Sequence, residues 1–163
     1  MSAPSLLRTL SIEHRTLQCA RPFDEVHRAL IDALPPLTPE VSDVLIRGNK
    51  EEVAIARRDW PKLWLFLVRN HGALTVADGQ ASKAIQYEIG NPLTAERMTR
   101  YALAAGLYAP LRVMLYEDEV GKANFEYDLP SSLFGQFGDR RIGLVGLELD
   151  LELEAVLLTA SGA

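Results

Sequence analysis

Three short stretches carry side chains that could bind a ligand or react, and each lies where a predicted strand ends. The first is Asn70-His71-Gly72. Histidine titrates near neutral pH, so His71 could act as a base or as a ligand to a bound group. The same three residue types also form ordinary turns and tolerate a positive φ angle. Both interpretations of His71 stay open.

The second stretch is the corner Gly90-Asn91-Pro92, where a strand stops and a helix begins at once. Unpaired backbone N–H groups at the start of this helix could hold a carboxylate or a phosphate, with Arg97 a turn or more inside the helix. Capping of the helix by the Asn91 side chain explains the same residues. The corner is therefore a candidate binding site and a candidate cap.

The third stretch is Tyr-Asp-Leu-Pro-Ser-Ser at 127–132, in which a strand ends and a short helix begins. Ser131 or Ser132 is a candidate N-cap for that helix. Tyr127 also belongs to a group of tyrosines that would give a cleft apolar walls with polar tips. The group consists of Tyr87, Tyr101, Tyr108, Tyr116 and Tyr127. A core whose tyrosines reach water at its rim is the alternative.

Local signatures of catalysis and metal binding are absent from the sequence. The histidines His14, His27 and His71 have no metal-ligand spacing among themselves or with Cys19. The acidic trio at 117–119 lies at a predicted hairpin turn, which favours a solvated turn over a cation site. No P-loop, dinucleotide fingerprint or Gly-x-Ser-x-Gly motif occurs. We therefore expect no metal and no cofactor.

Composition narrows the class of protein. A chain of 163 residues fits one domain and can bury a core without a metal or a disulfide. The formal charge is −5 and no run of Lys or Arg exceeds two residues, so we expect no nucleic-acid partner. The N-terminus lacks the features of a signal peptide, and the longest apolar run, 63–68, is too short to span a bilayer. Together with the single cysteine, Cys19, which we expect to be buried, these observations predict a cytoplasmic protein without a membrane partner.

Proline, glycine and capping patterns divide the chain into short elements. Pro22 opens a helix that Pro35-Pro36 ends, and Asn49 with Glu52 forms a capping pattern that starts another. The first predicted elements are a strand over 13–20 and helices over 22–34, 38–48 and 49–59. A hairpin of 63–69 with 73–77, a strand over 83–89 and a helix over 92–105 follow, and in this helix Met98, Tyr101, Ala102 and Ala105 share one face. The last elements are a hairpin of 111–117 with 123–128, a short helix through 133–137 and a helix over 141–159.

The second hairpin and the tail decide the fold class. Both faces of 111–117 are apolar whereas one face of 123–128 is polar, so the first strand is predicted to be central and the second to lie closer to an edge. The tail at 141–159 is too long and too poor in β-branched residues for a strand, which indicates a helix that is apolar on two sides. We predict a single α+β domain over 1–163, with an antiparallel-rich sheet backed by helices, opening with a β-α unit and ending in a long helix.

A series of motifs resembles the family of bacterial and archaeal proteins labelled domain of unknown function 302. The motifs are, in order, Gly90-Asn91-Pro92, Pro110-Leu111-Arg112-Val113, Glu117-Asp118, Gly121-Lys122 and Tyr127-Asp128-Leu129-Pro130. The likeness is good over 61–137 and looser over the opening strand and helix. Arg69-Asn70-His71 also resembles the family's Asp-His step, with Asn in place of Asp. The resemblance implies a compact α+β fold that often forms dimers, and no established activity.

The sequence supports three functional hypotheses. The first is a cytoplasmic, non-catalytic module that self-associates and binds a small, anionic or partly apolar molecule. Its predicted site residues are His71, Tyr87, Asn91, Arg97, Tyr127 and Asp128. The second is a homodimeric interaction module without a ligand, in which an exposed hairpin edge or the acidic, leucine-rich tail pairs with a copy of itself. The third is an enzyme in which His71 works with Asp128 or Glu88.

Overall fold

Five strands form one antiparallel sheet in the computed structural model, which describes residues 3–75 and 82–163. The strands are β1 (His14–Gln18), β2 (Trp64–Asn70), β3 (Ala84–Gly90), β4 (Leu111–Glu117) and β5 (Ala123–Asp128). Their order across the sheet is β1-β5-β4-β3-β2, and every neighbouring pair is antiparallel. The hairpin of β4 and β5 is confirmed, with β4 central and β5 next to the edge strand β1.

Helices connect the strands and cover one face of the sheet. They are α1 (Phe23–Ala33), α2 (Pro39–Arg47), α3 (Lys50–Asp59), α4 (Gly72–Thr75), α5 (Pro92–Thr99), α6 (Pro130–Gly135), α7 (Arg140–Ser161) and a 3₁₀ helix over Leu103–Tyr108. The capping pattern before α3 is confirmed, because the Asn49 side chain accepts from the N–H of Glu52 and the Glu52 carboxylate accepts from the N–H of Asn49. The chain is thus a single α+β domain that opens with a β-α unit and ends in a 22-residue helix, as predicted.

The first predicted hairpin is wrong. β2 pairs with β3 rather than with 73–77, and the residues after His71 form the short helix α4. The last two residues of that predicted strand, at 76–77, lie outside the described residues. A Cβ at Gly72 would lie 2.0 Å from the carbonyl oxygen of Ser82. The glycine therefore allows two backbone segments to lie close together. In the sequence, a glycine with this role cannot be distinguished from a glycine in a turn.

The helix predicted over 92–105 is shorter than expected. α5 ends at Thr99, and the 3₁₀ helix follows after a turn. As a result Tyr101 does not share a buried face with Met98 and Ala105, since 44% of Tyr101 is exposed. The change of helical pitch rotates the later side chains relative to the earlier ones.

The start of α6 also differs from the prediction. Leu129, rather than Ser131 or Ser132, occupies the N-cap position. The Ser132 hydroxyl accepts from the N–H of Glu13 at 3.0 Å and donates to the carbonyl oxygen of Leu129 at 2.8 Å. The serine therefore ties the first turn of α6 to the segment before β1.

The core lies between the sheet and the helices α1 and α7, which pack against each other. The sheet contributes fully buried side chains from its three central strands, among them Tyr87, Val113 and Phe125. Cys19 is buried in the same core, as predicted. α7 contributes one stripe at helical spacing, formed by Ile142, Val145, Leu149, Leu153 and Leu157. Burial of this apolar surface is the main term that favours folding.

The opposite side of α7 is open. Leu144, Leu147 and Leu151 are 50, 54 and 70% exposed. The helix predicted to be apolar on two sides therefore has one side in the core and one in contact with solvent. Among residues 3–75 and 82–163, no helix has the length and apolar character needed to cross a bilayer.

Leu153→Ala is expected to lower the free energy of unfolding by about 2–5 kcal/mol, because it truncates a fully buried side chain. Leu151→Ala, two residues away on the exposed side, is the matched control and should change it by less than about 0.5 kcal/mol. Urea denaturation followed by circular dichroism at low protein concentration measures both. Equal losses in the two variants would contradict the assignment of the buried stripe.

Candidate functional site

The Gly-Asn-Pro corner between β3 and α5 is a helix cap. The Oδ1 atom of Asn91 accepts from the N–H of Leu93 at 2.8 Å, and Pro92 fills the first helical position. The Asn91 amide also donates to the carbonyl oxygen of Pro61 at 3.0 Å. The cap thereby fixes the corner against the loop that precedes β2.

Asn91 and Arg97 line one groove of about 330 Å³, which we call the α3–α5 groove. Side chains from α3, from the loop before β2, from α5 and from α7 form its wall. Those that bear on its chemistry are Arg57, Trp60, Lys62, Asn91, Arg97 and Glu152. Three cations and one carboxylate thus surround a space that also has an indole on its wall. The groove combines positive charge with apolar surface.

Carboxylates on α7 hold two of these cations in place. Arg97 donates two hydrogen bonds to Glu148, at 2.6 and 3.0 Å, and this pair raises the pKa of the guanidinium. The Nζ atom of Lys62 lies 3.2 Å from a carboxylate oxygen of Glu152. A guanidinium has five N–H donors, so a bond pair to one carboxylate leaves donors for a ligand. The pairs orient the cations without using all of their hydrogen-bonding capacity.

A second cavity of about 290 Å³, which we call the apolar pocket, shares Asn91 and Thr94 with the groove. The remainder of its wall is mainly apolar and includes Phe66, Met98, Pro110, Leu111, Phe134 and Leu149. Pockets that bind small molecules typically combine an apolar lining with a few placed polar groups. The cationic groove and the apolar pocket thus lie next to each other, with Asn91 and Thr94 in both walls.

The two predicted tyrosines lie in the core. Tyr87 is fully buried on β3, its hydroxyl lies 2.6 Å from Nδ1 of His27, and burial raises its pKa. Tyr127 is buried on β5, and burial raises its pKa while the nearby Arg15 guanidinium opposes this. The Tyr127 hydroxyl has no well-formed hydrogen bond to the described part of the chain. Neither tyrosine reaches the α3–α5 groove.

His71 and Asp128 lie on separate parts of the fold. His71 stands between β2 and α4, and its Nε2 atom is buried without a hydrogen-bond partner in residues 3–75 and 82–163. Asp128 instead bonds Nδ1 of His14 at 2.8 Å, and Glu88 accepts from Arg69 at 2.5 Å. The pairing of His71 with either carboxylate that an enzymatic role requires is therefore not formed.

The structure brings Asn91 and Arg97 together and leaves the other four predicted site residues elsewhere. Sequence reasoning missed Arg57, Trp60 and Lys62, which also line the groove. The signal that could have indicated them is a tryptophan between two cations ahead of a strand. Within the described ranges, no group of three or more His, Cys, Asp or Glu side chains is placed to hold a metal ion.

Comparison with known proteins gives a family and a fold. The family described as domain of unknown function DUF302 matches residues 64–159 of the chain. No curated protein matches the chain significantly. A similar solved structure is that of an uncharacterized conserved DUF302 protein from Bacillus stearothermophilus, with 15% sequence identity and a TM-score of 0.65. The match covers 90% of this chain and 97% of that protein, so the shared α+β fold extends over nearly the whole of both.

The bond between His14 and Asp128 should make the pairing of β1 with β5 dependent on pH. This hydrogen bond, with the charges of Asp128 and Glu126, raises the pKa of His14 above its ordinary value of 6.5. The stability that the pair contributes is therefore present below about pH 6.5 and is lost as pH rises through the raised pKa. NMR titration of the imidazole should show a pKa that falls in Asp128→Asn. Glu119→Gln, in the turn between β4 and β5, is the control and should leave it unchanged.

Proposed function

The chain belongs to the DUF302 family, and we propose that it is a cytoplasmic, non-catalytic module that binds a small, partly apolar anion and self-associates. The observation that carries the binding proposal is that the cationic α3–α5 groove lies beside the apolar pocket, with Asn91 and Thr94 in both walls. The single cysteine, buried and unpaired, supports a reducing compartment.

Charge supports an anionic ligand. The whole chain has a formal charge of −5, whereas the wall of the α3–α5 groove carries Arg57, Lys62 and Arg97 against the single carboxylate of Glu152. A concave site lined by one sign of charge raises the local concentration of ions of the opposite sign. Glu148 and Glu96 lie outside this wall and balance part of its charge by pairing with Arg97 and Arg57, so the groove offers an anion mainly a set of positioned N–H donors.

The residue types in the groove support binding rather than catalysis. Among residues 3–75 and 82–163, its lining includes no histidine, cysteine or serine side chain. Arginine and lysine bind anions through charge and hydrogen bonds without accepting a proton near neutral pH. Trp60, which meets Trp64 edge to face with ring centroids 5.9 Å apart, provides a rigid aromatic surface for an apolar part of the ligand.

Self-association is supported by the exposed leucines of α7. Leu144, Leu147 and Leu151 lie three and four residues apart, so they form one stripe on the solvent side of the helix. A contact between two identical copies requires a surface that is complementary to itself. A two-fold axis through the middle of this stripe would place Leu144 of one copy opposite Leu151 of the other and bring the two Leu147 side chains together.

Phenylacetate, a small carboxylate with an apolar ring, is a suitable probe of the groove. We expect it to bind, and we expect Arg97→Gln and Lys62→Gln each to weaken it about tenfold, because each variant removes a charged hydrogen bond. NMR titration of the Trp60 indole resonance measures the affinity, and neutral phenylacetamide tests the need for charge.

Arg58→Gln is the matched control for these variants. Arg58 neighbours Arg57 on α3 but pairs with Asp59 and does not line the groove. Equal weakening by Arg58→Gln and Arg97→Gln, or equal binding of the acid and the amide, would contradict an anion site in this groove.

Leu147→Glu should abolish self-association, because it places a charge at the centre of the leucine stripe. Sedimentation velocity across the micromolar range measures the assembly state. Val120→Glu, at a more exposed apolar residue in the β4–β5 turn, is the control and should leave it unchanged. A wild-type protein that stays monomeric at high micromolar concentration would contradict the proposal.

A further inference from the structure

A third cavity, of about 380 Å³, adjoins the α3–α5 groove and is walled by four arginines. We call it the arginine cavity. Its arginines are Arg57, Arg97, Arg100 and Arg141, and Glu148 is the one carboxylate in the wall. Arg57 and Arg97 also line the α3–α5 groove, so the two cavities have two arginines in common.

The other carboxylates that pair with these arginines lie outside the cavity wall. Glu96 accepts from Arg100 at 2.5 to 2.9 Å and from Arg57 at 2.9 Å. Asp139 accepts from Arg141 at 2.6 and 3.0 Å, and this pair lowers the pKa of the carboxyl group to about 2. Both carboxylates therefore remain charged at neutral pH and hold their guanidinium groups in fixed positions.

The arrangement leaves hydrogen-bond donors and positive charge available to a ligand. A guanidinium held by one carboxylate retains donors that the carboxylate does not occupy. Even when Glu96, Glu148 and Asp139 are all counted against the four arginines, the cluster keeps one net positive charge (4 − 3 = 1), in a chain whose total charge is −5. Positive charge is thus concentrated here against the trend of the whole molecule.

Aromatic and aliphatic side chains complete the cavity. The Arg141 guanidinium lies 3.7 Å from the centre of the Tyr101 ring, which restricts its motion by stacking. Leu144 and Val145 of α7 lie in the same wall. The cavity therefore offers an oxyanion site built from several arginines, with apolar surface beside it.

We propose that the arginine cavity binds the phosphate group of a small phosphate monoester whose remaining part contacts the apolar walls. Four arginines lining one space can supply enough N–H donors for the three terminal oxygens of a phosphate, whereas a single carboxylate needs only one guanidinium group. This inference rests on the proposed function, since it assigns a ligand class to the site that includes Arg57 and Arg97. Arg100 and Arg141 line this cavity and not the α3–α5 groove. Variants at these two residues therefore test the phosphate proposal separately from the proposed anion site in the groove.

The test compares phenyl phosphate with phenylacetate by isothermal titration. We expect phenyl phosphate to bind wild-type protein at least about tenfold more tightly than phenylacetate, because more charged hydrogen bonds are formed. Arg100→Gln and Arg141→Gln should each reduce this preference about tenfold. Arg100→Lys should recover only part of it, since lysine keeps the charge but loses the planar fork. Arg58→Gln is the control, and circular dichroism confirms that each variant is folded.

Three results would overturn the inference. Phenyl phosphate that binds no more tightly than phenylacetate would exclude a phosphate preference and leave the groove proposal intact. A preference that survives Arg100→Gln and Arg141→Gln but is lost in Lys62→Gln would place the phosphate in the α3–α5 groove instead. Failure of both probes to bind would contradict the proposed function as well, so the two failures are distinguishable.

Discussion

Burial of one stripe of α7 is the constraint on which the rest of the structure depends. Val145, Leu149 and Leu153 must face the core, and this fixes the rotation of the helix about its axis. Successive residues of a helix are about 100° apart, so the direction of every other side chain on α7 follows. Glu148 then faces Arg97 of α5 and Glu152 faces Lys62. The position of the candidate site is therefore a consequence of how the core is packed.

The ion pairs around the site position side chains and do not hold the fold together. Both side chains of the Arg97–Glu148 pair are at least 40% exposed, and exposed pairs of this kind contribute about 0–1 kcal/mol. Their net effect on stability is small because solvent screens the charges and side-chain entropy is lost. What they provide is orientation, since a guanidinium already fixed by a carboxylate loses less freedom when it binds an anion. The weak energetics and the proposed role in binding are consistent.

Local patterns predicted the elements whose partners are near in sequence. The hairpin of β4 and β5 and the capping box at Asn49 were predicted correctly, because in each case the interacting residues are close in sequence. The hairpin predicted over 63–77 is wrong because β2 has its partner beyond α4, and Gly72 accommodates a close approach that resembles a turn in sequence. The candidate site also combines residues that are near in sequence with residues that are distant. Asn91 and Arg97 lie at a recognisable corner, whereas Lys62 is brought to them from about thirty residues away, next to the Asn91–Pro61 hydrogen bond.

The capping role of Asn91 decides which groups can hold an anion at this corner. Pro92 has no N–H, the N–H of Leu93 donates to the Asn91 side chain, and the N–H of Ala95 donates to the Asn91 carbonyl oxygen. The cap thus takes up the N–H of Leu93, and Pro92 has none to offer, which leaves fewer backbone donors for an anion at the start of α5. In the proposed site the positive charge comes from the side chains of Arg57, Lys62 and Arg97. The cap and the proposed site are therefore compatible, because in the proposed function the cap positions the corner and the cations around it bind the anion.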